Sequence, residues 1–233
     1  MELPILYEDE DVVAVAKPAG LITHSDGRTQ EETAEDWFKE KYPEGAGYAH
    51  RLDRDTSGVL VFAKNGTTYN FLHKAFNDRN VEKTYLALVY GVPKEKKSVI
   101  DFDIGRSRKD FRLRSAQPKA KGKLREALTR YEVIGEDGKY ALLKVQPETG
   151  RTHQIRAHLK AIHHPIVGDS LYSPNHSTEL DIKRLGLHSY MLNLPLPSGA
   201  KALITAPIPC DLVPSFSRFP NANETFALVY DAC

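Results

Sequence analysis

The chain of 233 residues contains little cysteine and no long apolar run near its start. Cys210 and Cys233 are its only cysteines, so we expect no disulfide framework of the kind that holds small secreted domains together. The longest apolar run near the N-terminus, residues 12–16, is far shorter than the roughly 20 residues of a membrane-spanning helix. Residues 1–4 carry neither the basic nor the apolar stretch of a signal peptide. These absences favour a cytoplasmic protein that does not enter a membrane.

Motifs for metals and nucleotides are also missing. The sequence has nine histidines, but it has no HExxH, and the separation of His153 and His158 is not that of zinc ligands. It contains no Walker loop, no GxGxxG and no GxSxG. We therefore expect no metal and no nucleotide or other cofactor, so that side chains alone carry out any chemistry.

Positive charge is concentrated in one segment, although the formal net charge is only +1. Residues 105–125 contain nine lysines and arginines against one acid, Asp110. Such an asymmetry is typical of a surface that binds a polyanion, and Arg112 and Arg114 lie near its centre. From a basic run alone, a solvated loop without a partner is the simpler interpretation.

Hydrophobic periodicity predicts more strands than helices. Strands are expected at 4–16 (two, around an acidic turn), 59–63, 83–90, 126–134, 139–146, 187–192 and 201–206. Helices are expected after a capping-box pattern at Thr29 and Glu32, after a cap at Asn65, and at 152–162. The basic segment has no sustained period and predicts an extended hairpin or loop. Because strands dominate and short turns join them, we expect a mixed α+β sheet in one domain.

The most conspicuous polar segment is HRLDRDTSG, residues 50–58, directly before a predicted strand. Asp53 lies between two arginines, and nearby cations favour the ionised carboxylate. A positioned carboxylate can serve as a nucleophile or as a base. The alternative is a turn in which Asp53 or Asp55 only hydrogen-bonds local backbone.

Two further segments combine polar residues with element boundaries. ETGRTHQIR, residues 148–156, lies at a strand-to-helix junction, where free N–H groups and arginines suit a phosphate or a carboxylate. Ordinary helix capping by Thr152 is the alternative there. Lys83 and Tyr85 open a buried strand, where a tyrosine is ordinarily part of the core.

Taken together, these segments resemble the motifs of RluA-type pseudouridine synthases. The resemblance includes HRLDRDTSG, the longer GRTHQIRAHL (residues 150–159) and KTY (residues 83–85), which occur in the family's order. Residues 11–20, 168–172 and 187–189 also fit, so the resemblance covers residues 5–213. It implies an α+β fold with a mixed, largely antiparallel β-sheet, flanking helices and a central catalytic cleft.

The resemblance also implies roles for individual residues. Asp53 corresponds to the essential aspartate, Tyr85 to the tyrosine that packs against the target base, and Arg151 to the residue that forms an ion pair with the aspartate. Arg51 corresponds to the arginine that fills the space of the flipped nucleotide. The full set of predicted substrate-binding residues is His50, Arg51, Leu52, Thr56, Lys83, Ile155, Arg156, Arg112 and Arg114.

The implied activity is an RNA isomerase that converts uridine to pseudouridine in tRNA or large-subunit rRNA stem-loops. The matching pattern begins at residue 5, so we expect a single catalytic domain over residues 1–233, without an S4-type RNA-binding domain, acting as a monomer. A flipped uridine costs a few kcal/mol of stacking, which basic residues at 106–125 and 152–163 would offset by backbone contacts. This context favours the RNA-binding interpretation of the basic segment.

Two alternatives to the isomerase remain at this point. A nucleosidase or glycosidase would also act at C1′, but such enzymes generally use two carboxylates, and Asp55 is the only near neighbour of Asp53 in sequence. The other is an RNA-binding protein that retains the fold without activity. The sequence does not distinguish attack by Asp53 on C1′ from removal of a proton at C2′.

Overall fold

The computed structural model describes residues 1–25, 27, 30–107, 110, 112–116, 121–222 and 228–231. The chain divides into two compact units. Unit 1 comprises Met1–Lys83 and Ser189–Ala206, and unit 2 comprises Thr84–His188 and Pro207–Cys233. The expectation of one domain over the whole chain stays a prediction.

Thirteen strands and four helices are assigned in the described residues. The strands are β1 (Ile5–Glu8), β2 (Val12–Lys17), β3 (Gly47–Tyr48), β4 (Ser57–Ala63), β5 (Glu82–Tyr90), β6 (Lys97–Asp101), β7 (Ile104–Arg106), β8 (Arg114–Ser115), β9 (Lys121–Arg125), β10 (Leu128–Glu136), β11 (Tyr140–Pro147), β12 (Leu187–Pro195) and β13 (Lys201–Thr205). The helices are α1 (Ala34–Lys41), α2 (Gly66–Asn77), α3 (Gln154–Ala161) and α4 (Val213–Phe216).

Unit 1 is a sheet with strand order β1-β2-β4-β12, to which β3 and β13 are added at β4 and β12. The pairs β1–β2, β2–β4, β3–β4 and β12–β13 are antiparallel. Every residue of β4 is buried, because helices cover both faces. Phe38 of α1 stacks on Phe62 with ring centroids 4.6 Å apart, while Leu72 of α2 joins the core cluster that contains Val59 and Val61.

Unit 2 contains an antiparallel sheet in the order β5-β11-β10-β6. The strands predicted at 126–134 and 139–146 form the β10–β11 hairpin, and the Asp137 carboxylate accepts the N–H groups of Lys139 and Tyr140 at 2.9 and 2.8 Å to close its turn. A separate three-stranded sheet has the order β8-β7-β9. We call it the basic sheet, because it is built from the segment of residues 104–125. The sequence predicted an extended hairpin or loop there, so the third strand is new.

The predicted α+β class with a largely antiparallel sheet and flanking helices is confirmed. Asn65 caps α2 as expected, since its side chain accepts the Thr68 N–H at 2.8 Å. The capping box of α1, however, is formed by Thr33 and Asp36. The position predicted for it, Thr29 and Glu32, was wrong by one turn, and Thr29 lies outside the described residues.

Cys210 lies in an exposed turn before α4. Cys233 lies outside the described residues. Among the helices in the described part of the chain, none combines the length and the apolar character needed to cross a bilayer.

Gly58 is the residue of β4 that most restricts substitution. Its φ is +117°, a conformation that L side chains rarely adopt. A Cβ built on it would lie 2.1 Å from the Ser189 carbonyl oxygen, which belongs to the neighbouring strand β12. We expect Gly58→Ala to lower the free energy of unfolding by at least about 2 kcal/mol, measured by urea denaturation.

The matched control is Gly66→Ala at the first residue of α2, where an added Cβ meets nothing within 4 Å. Because alanine favours helix over glycine, the control should keep or slightly raise the free energy of unfolding. Equal effects of the two substitutions would contradict the close approach of the strands at Gly58.

Candidate active site

Asp53 lies in a tight turn immediately before β4. The Thr56 N–H donates to the Asp53 carbonyl oxygen at 3.1 Å, which closes a four-residue turn. The Asp53 side chain is partly exposed, whereas the Thr56 side chain is buried. The turn thus leaves Asp53 partly exposed, whereas Thr56, for which substrate contact had been predicted, anchors the turn to the core.

A buried lysine is hydrogen-bonded to the main chain of this turn. Lys17 is 1% exposed, and its Nζ donates to the carbonyl oxygens of Pro18, Leu21 and Arg54 at 2.8, 2.7 and 3.0 Å. Burying an ammonium group is tolerated only when hydrogen bonds replace its hydration. Lys17 therefore fixes residue 54, directly after Asp53, to the end of β2.

Thr23 makes a second connection to this turn, through two hydrogen bonds to the main chain of Leu52. Thr23 Oγ1 donates to the Leu52 carbonyl oxygen at 2.9 Å and accepts the Leu52 N–H at 3.1 Å. Both side chains are buried. The main chain on either side of Asp53 is thus held by a buried polar side chain, and Leu52 anchors the turn rather than presenting its side chain at the surface.

The two arginines beside Asp53 differ in their contacts. Arg54 forms an ion pair with Glu31 and donates from Nε to the Gly20 carbonyl oxygen at 3.2 Å. Arg51 is exposed. Both cations expected to flank the carboxylate are therefore exposed, and Arg54 is engaged in an ion pair.

His50 supports the strand rather than acting as an exposed polar group. The Val61 N–H donates to His50 Nε2 at 3.3 Å, and the imidazole stacks on Phe76 with centroids 4.8 Å apart. Burial, with smaller contributions from the charges of Lys83 and His73, lowers the pKa of His50 to about 3. His50 is consequently neutral near pH 7 and takes the place of a main-chain acceptor for β4.

Unit 2 carries the other predicted catalytic residues. Tyr85 lies on β5 opposite Val145 of β11 and is nearly buried. Arg151 lies in the turn before α3, where its Nε donates to the Glu126 carbonyl oxygen at 3.0 Å. The predicted catalytic set is therefore divided between the two units, and the ion pair of Arg151 with Asp53 stays a prediction.

Gln154 fastens the turn that carries Arg151. Its Oε1 accepts the Arg151 N–H at 3.0 Å and the Thr149 hydroxyl at 2.7 Å, and its Nε2 donates to Leu128 O and Thr129 Oγ1, both at 3.0 Å. Buried amides are retained when all their groups are paired. Gln154 is thus a structural element of the motif that sequence reasoning did not single out.

Arg156 does not occupy the position predicted for it. It was expected to bind substrate, but it is 3% exposed and forms a bidentate ion pair with Asp169, with both N–O distances at 2.8 Å. Ile155 beside it is also buried. The partner with which Arg156 is buried lies 13 residues further along the chain.

The basic sheet presents several of its cations to solvent. Arg106, Lys123 and Arg125 are exposed. Arg112, one of the two predicted RNA-binding residues, forms an ion pair with Asp110 at 2.7 Å. Arg114 is half-buried, and its N–H donates to the Tyr172 hydroxyl at 2.8 Å. The sequence identified the concentration of positive charge but did not reveal that Arg112 pairs with Asp110.

Sequence reasoning missed the residues that hold these segments: Lys17, Thr23, Gln154, Asp169 and Tyr172. Within the residues that the structure describes, no group of three or more His, Cys, Asp and Glu side chains could hold a metal ion.

The neutral state of His50 predicts a pH dependence of stability. Its pKa is about 3 in the folded chain against 6.5 as the ordinary value, so the unfolded chain binds more protons between these limits. The free energy of unfolding should fall as pH falls through this window, by up to about 1.4 kcal/mol per pH unit. Burial also lowers the pKa of His158, which adds to the same slope.

His50→Gln keeps an acceptor for the Val61 N–H but does not titrate, so it should flatten the slope measured by urea unfolding between about pH 7 and pH 4. His163→Asn is the control, because His163 is exposed and its positive φ of 67° suits asparagine. An unaltered slope in His50→Gln would refute the buried neutral imidazole.

Known proteins resemble this chain over most of its length. The model of the family described as RNA pseudouridylate synthase matches residues 11–161. Ribosomal large subunit pseudouridine synthase D of Borreliella burgdorferi is 34% identical over 232 residues, which cover 95% of this chain and 70% of that protein. tRNA pseudouridine synthase C of Haemophilus ducreyi is 35% identical over 206 residues and 83% of each chain.

The fold comparison agrees. The human protein RNA Pseudouridylate Synthase Domain Containing 4 superposes with a TM-score of 0.75 at 26% identity, over 92% of both chains. The chain spans 66% of the length of another relative, an uncharacterised RNA pseudouridine synthase of Synechocystis, with 36% identity over 216 residues and 89% of this chain. The motifs around Asp53, Tyr85 and Arg151 all lie inside the family match. On these grounds, the chain belongs to the RNA pseudouridylate synthase family.

Proposed function

We propose that the protein converts uridine to pseudouridine in structured RNA, with Asp53 as the reacting carboxylate and without a cofactor. Membership of the family supports the reaction. The printed names of the two curated relatives, one acting on the large ribosomal subunit and one on tRNA, support tRNA and large-subunit rRNA as the classes of substrate.

The observation that carries the proposal is the construction of the Asp53 turn. Buried side chains, Lys17 and Thr23, hold the main chain at residues 54 and 52, while Asp53 between them is partly exposed. Catalysis benefits when the reacting group is held in place before substrate binds. A turn that served only as a strand connection would not need two buried polar attachments.

The reaction balances without an external reactant. The C1′–N1 bond breaks, C1′ bonds to C5 of the same uracil, the C5 proton is released and N1 gains a proton. Asp53 either attacks C1′ and is displaced again when C5 bonds to C1′, or removes a proton at C2′ and returns it as that bond forms. In our proposal Tyr85 packs against the uracil, Arg151 pairs with Asp53, and Arg51 fills the space that the flipped uridine leaves.

We assign the binding of RNA to cations of the basic sheet. Extruding a uridine from its stack costs a few kcal/mol, and phosphate contacts can offset this cost. Arg106, Lys123 and Arg125 on the basic sheet are exposed and are the cations that we assign to this task, together with Arg114. Arg156 is excluded from it by its buried pairing with Asp169.

The test of catalysis is tritium release from tRNA and rRNA transcripts labelled at uridine C5. We expect Asp53→Asn to lower the rate by at least about a thousandfold, because the amide can neither attack nor accept a proton. Asp55→Asn is the matched control, two residues away and equally partly exposed, and it should keep most of the activity.

Other results would support the alternatives. Free uracil in solution, with activity lost in both aspartate variants, would indicate a nucleosidase that uses two carboxylates. RNA binding without tritium release from any transcript would indicate a binding protein. Retained activity in Asp53→Asn would contradict the proposed role of Asp53.

The ion pair of Arg112 predicts an unequal contribution of the basic residues to RNA affinity. Arg125→Gln should weaken binding of a tRNA transcript several-fold and lower the slope of log affinity against log salt by about 0.7 to 1. Arg112→Gln should have a smaller effect, because Asp110 already offsets its charge. The measurement is fluorescence anisotropy at several salt concentrations.

Asp110→Asn provides the complementary control. It removes the partner of Arg112 and should tighten RNA binding. If Arg112→Gln weakens binding as much as Arg125→Gln, the pairing with Asp110 does not persist in solution when RNA is bound.

A further inference from the structure

The basic sheet is attached to the rest of unit 2 through a small apolar contact. Its fully buried members are Ile104, Ala116 and Ala127 from the segment around the basic sheet, Ala157 of α3, and Tyr172. Alanines bury little area and contribute little to such a contact. The Tyr172 ring, 5% exposed, is the largest side chain in the set, so the attachment depends on it more than on any other member.

The Tyr172 hydroxyl makes polar contacts with two separate parts of unit 2. It accepts the Arg114 N–H of β8 at 2.8 Å and lies 3.2 Å from His153 Nδ1. An O–H that accepts one hydrogen bond can donate its own hydrogen to a second group. The hydroxyl thus joins the main chain of the basic sheet to the residue at the N-cap of α3.

His153 lies only two residues from Arg151, and its main chain is in the left-handed region, with φ 56° and ψ 23°. Such a conformation costs a non-glycine residue free energy and persists when its surroundings enforce it. The imidazole meets the Tyr172 ring edge-on, with centroids 5.7 Å apart. Tyr172 therefore contacts both the turn that carries Arg151 and the sheet that carries the exposed cations.

A buried ion pair fixes Tyr172 itself. The Asp169 carboxylate accepts the N–H groups of Leu171 and Tyr172, both at 3.0 Å, while it pairs with Arg156. The Arg156 guanidinium also lies over the Tyr172 ring, 5.1 Å from its centroid. Arg156 therefore serves to hold the Tyr172 ring in place.

We propose that Tyr172 is a positioning residue for RNA, whose hydroxyl sets the basic sheet relative to the Arg151 turn. The inference rests on the proposed function, since it concerns how RNA bound at the basic sheet is presented to that turn. A second contact runs alongside it, because Arg151 Nε donates to the Glu126 carbonyl just after β9. The basic sheet is thus attached at both of its outer strands, through Arg114 of β8 and through Glu126 just after β9.

The test compares Tyr172→Phe with Tyr140→Phe. Each substitution removes one buried hydroxyl and keeps the ring. The Tyr140 hydroxyl also accepts a main-chain N–H, that of Glu179 at 3.2 Å, but it lies on β11 and serves the segment at 178–179. Both variants therefore lose a comparable hydrogen bond, and only one of them loosens the basic sheet.

The probe is the C5-tritiated tRNA or rRNA transcript that the wild type modifies, and the same transcript, fluorescently labelled, serves for binding. In Tyr172→Phe we expect KM and Kd to rise about threefold to tenfold, the size of one net hydrogen bond. The kcat value should stay within about twofold, because loss of binding that is shared by ground and transition states leaves kcat unchanged. The slope of log Kd against log salt should become shallower, and the Arg114 amide should exchange faster with deuterium.

A loss of stability alone would not produce this pattern. Tyr140→Phe should lower Tm about as much as Tyr172→Phe does, but its KM and Kd should stay near the wild-type values. The proposal is overturned if Arg114 exchange accelerates while KM and Kd do not change, if the exchange is unaffected, or if Tyr140→Phe raises KM equally. Failure of the proposed function is distinct: the wild type itself would release no tritium, and the comparison of Kd and amide exchange would still decide whether Tyr172 sets the basic sheet for RNA.

Discussion

The hydrogen bonding of the buried Lys17 ammonium group is the interaction on which the Asp53 turn depends. A charge at 1% exposure is stable only while its three carbonyl partners remain in place, because the group has lost its hydration. The buried lysine and the loops that surround it therefore depend on each other. The lysine organises the loops at residues 18–21 and 54, and those loops in turn make its burial possible.

The same principle recurs in unit 2 with different residues. Gln154 satisfies main-chain groups of the turn around Arg151, and the Arg156–Asp169 pair supports Tyr172. Breaking a buried pair by removing one partner is costly, about 3–5 kcal/mol, because the other charge is left uncompensated. Residues of the conspicuous motifs thus divide into exposed groups available for chemistry and buried polar groups that fix their geometry.

Motif reading identified the segments of the candidate site but not this division. It selected Asp53, which is partly exposed, and also His50, Arg156 and Arg112, which the structure engages in internal contacts. In sequence, a charged residue that binds a substrate and one that supports the fold look alike. Only the location of the partner separates them, and Asp169 has no periodic relation to the helix that carries Arg156.

The sequence by itself determined the longer strands and the class of the sheet. Apolar runs such as residues 59–63 and the cap at Asn65 act over a few residues, so local pattern suffices to predict them. The tertiary structure decided which polar side chains are buried and what they hold. The Tyr172 hydroxyl meets the Arg114 amide across 58 positions of sequence, and hydrogen bonds of that span arise from packing, which local sequence does not encode.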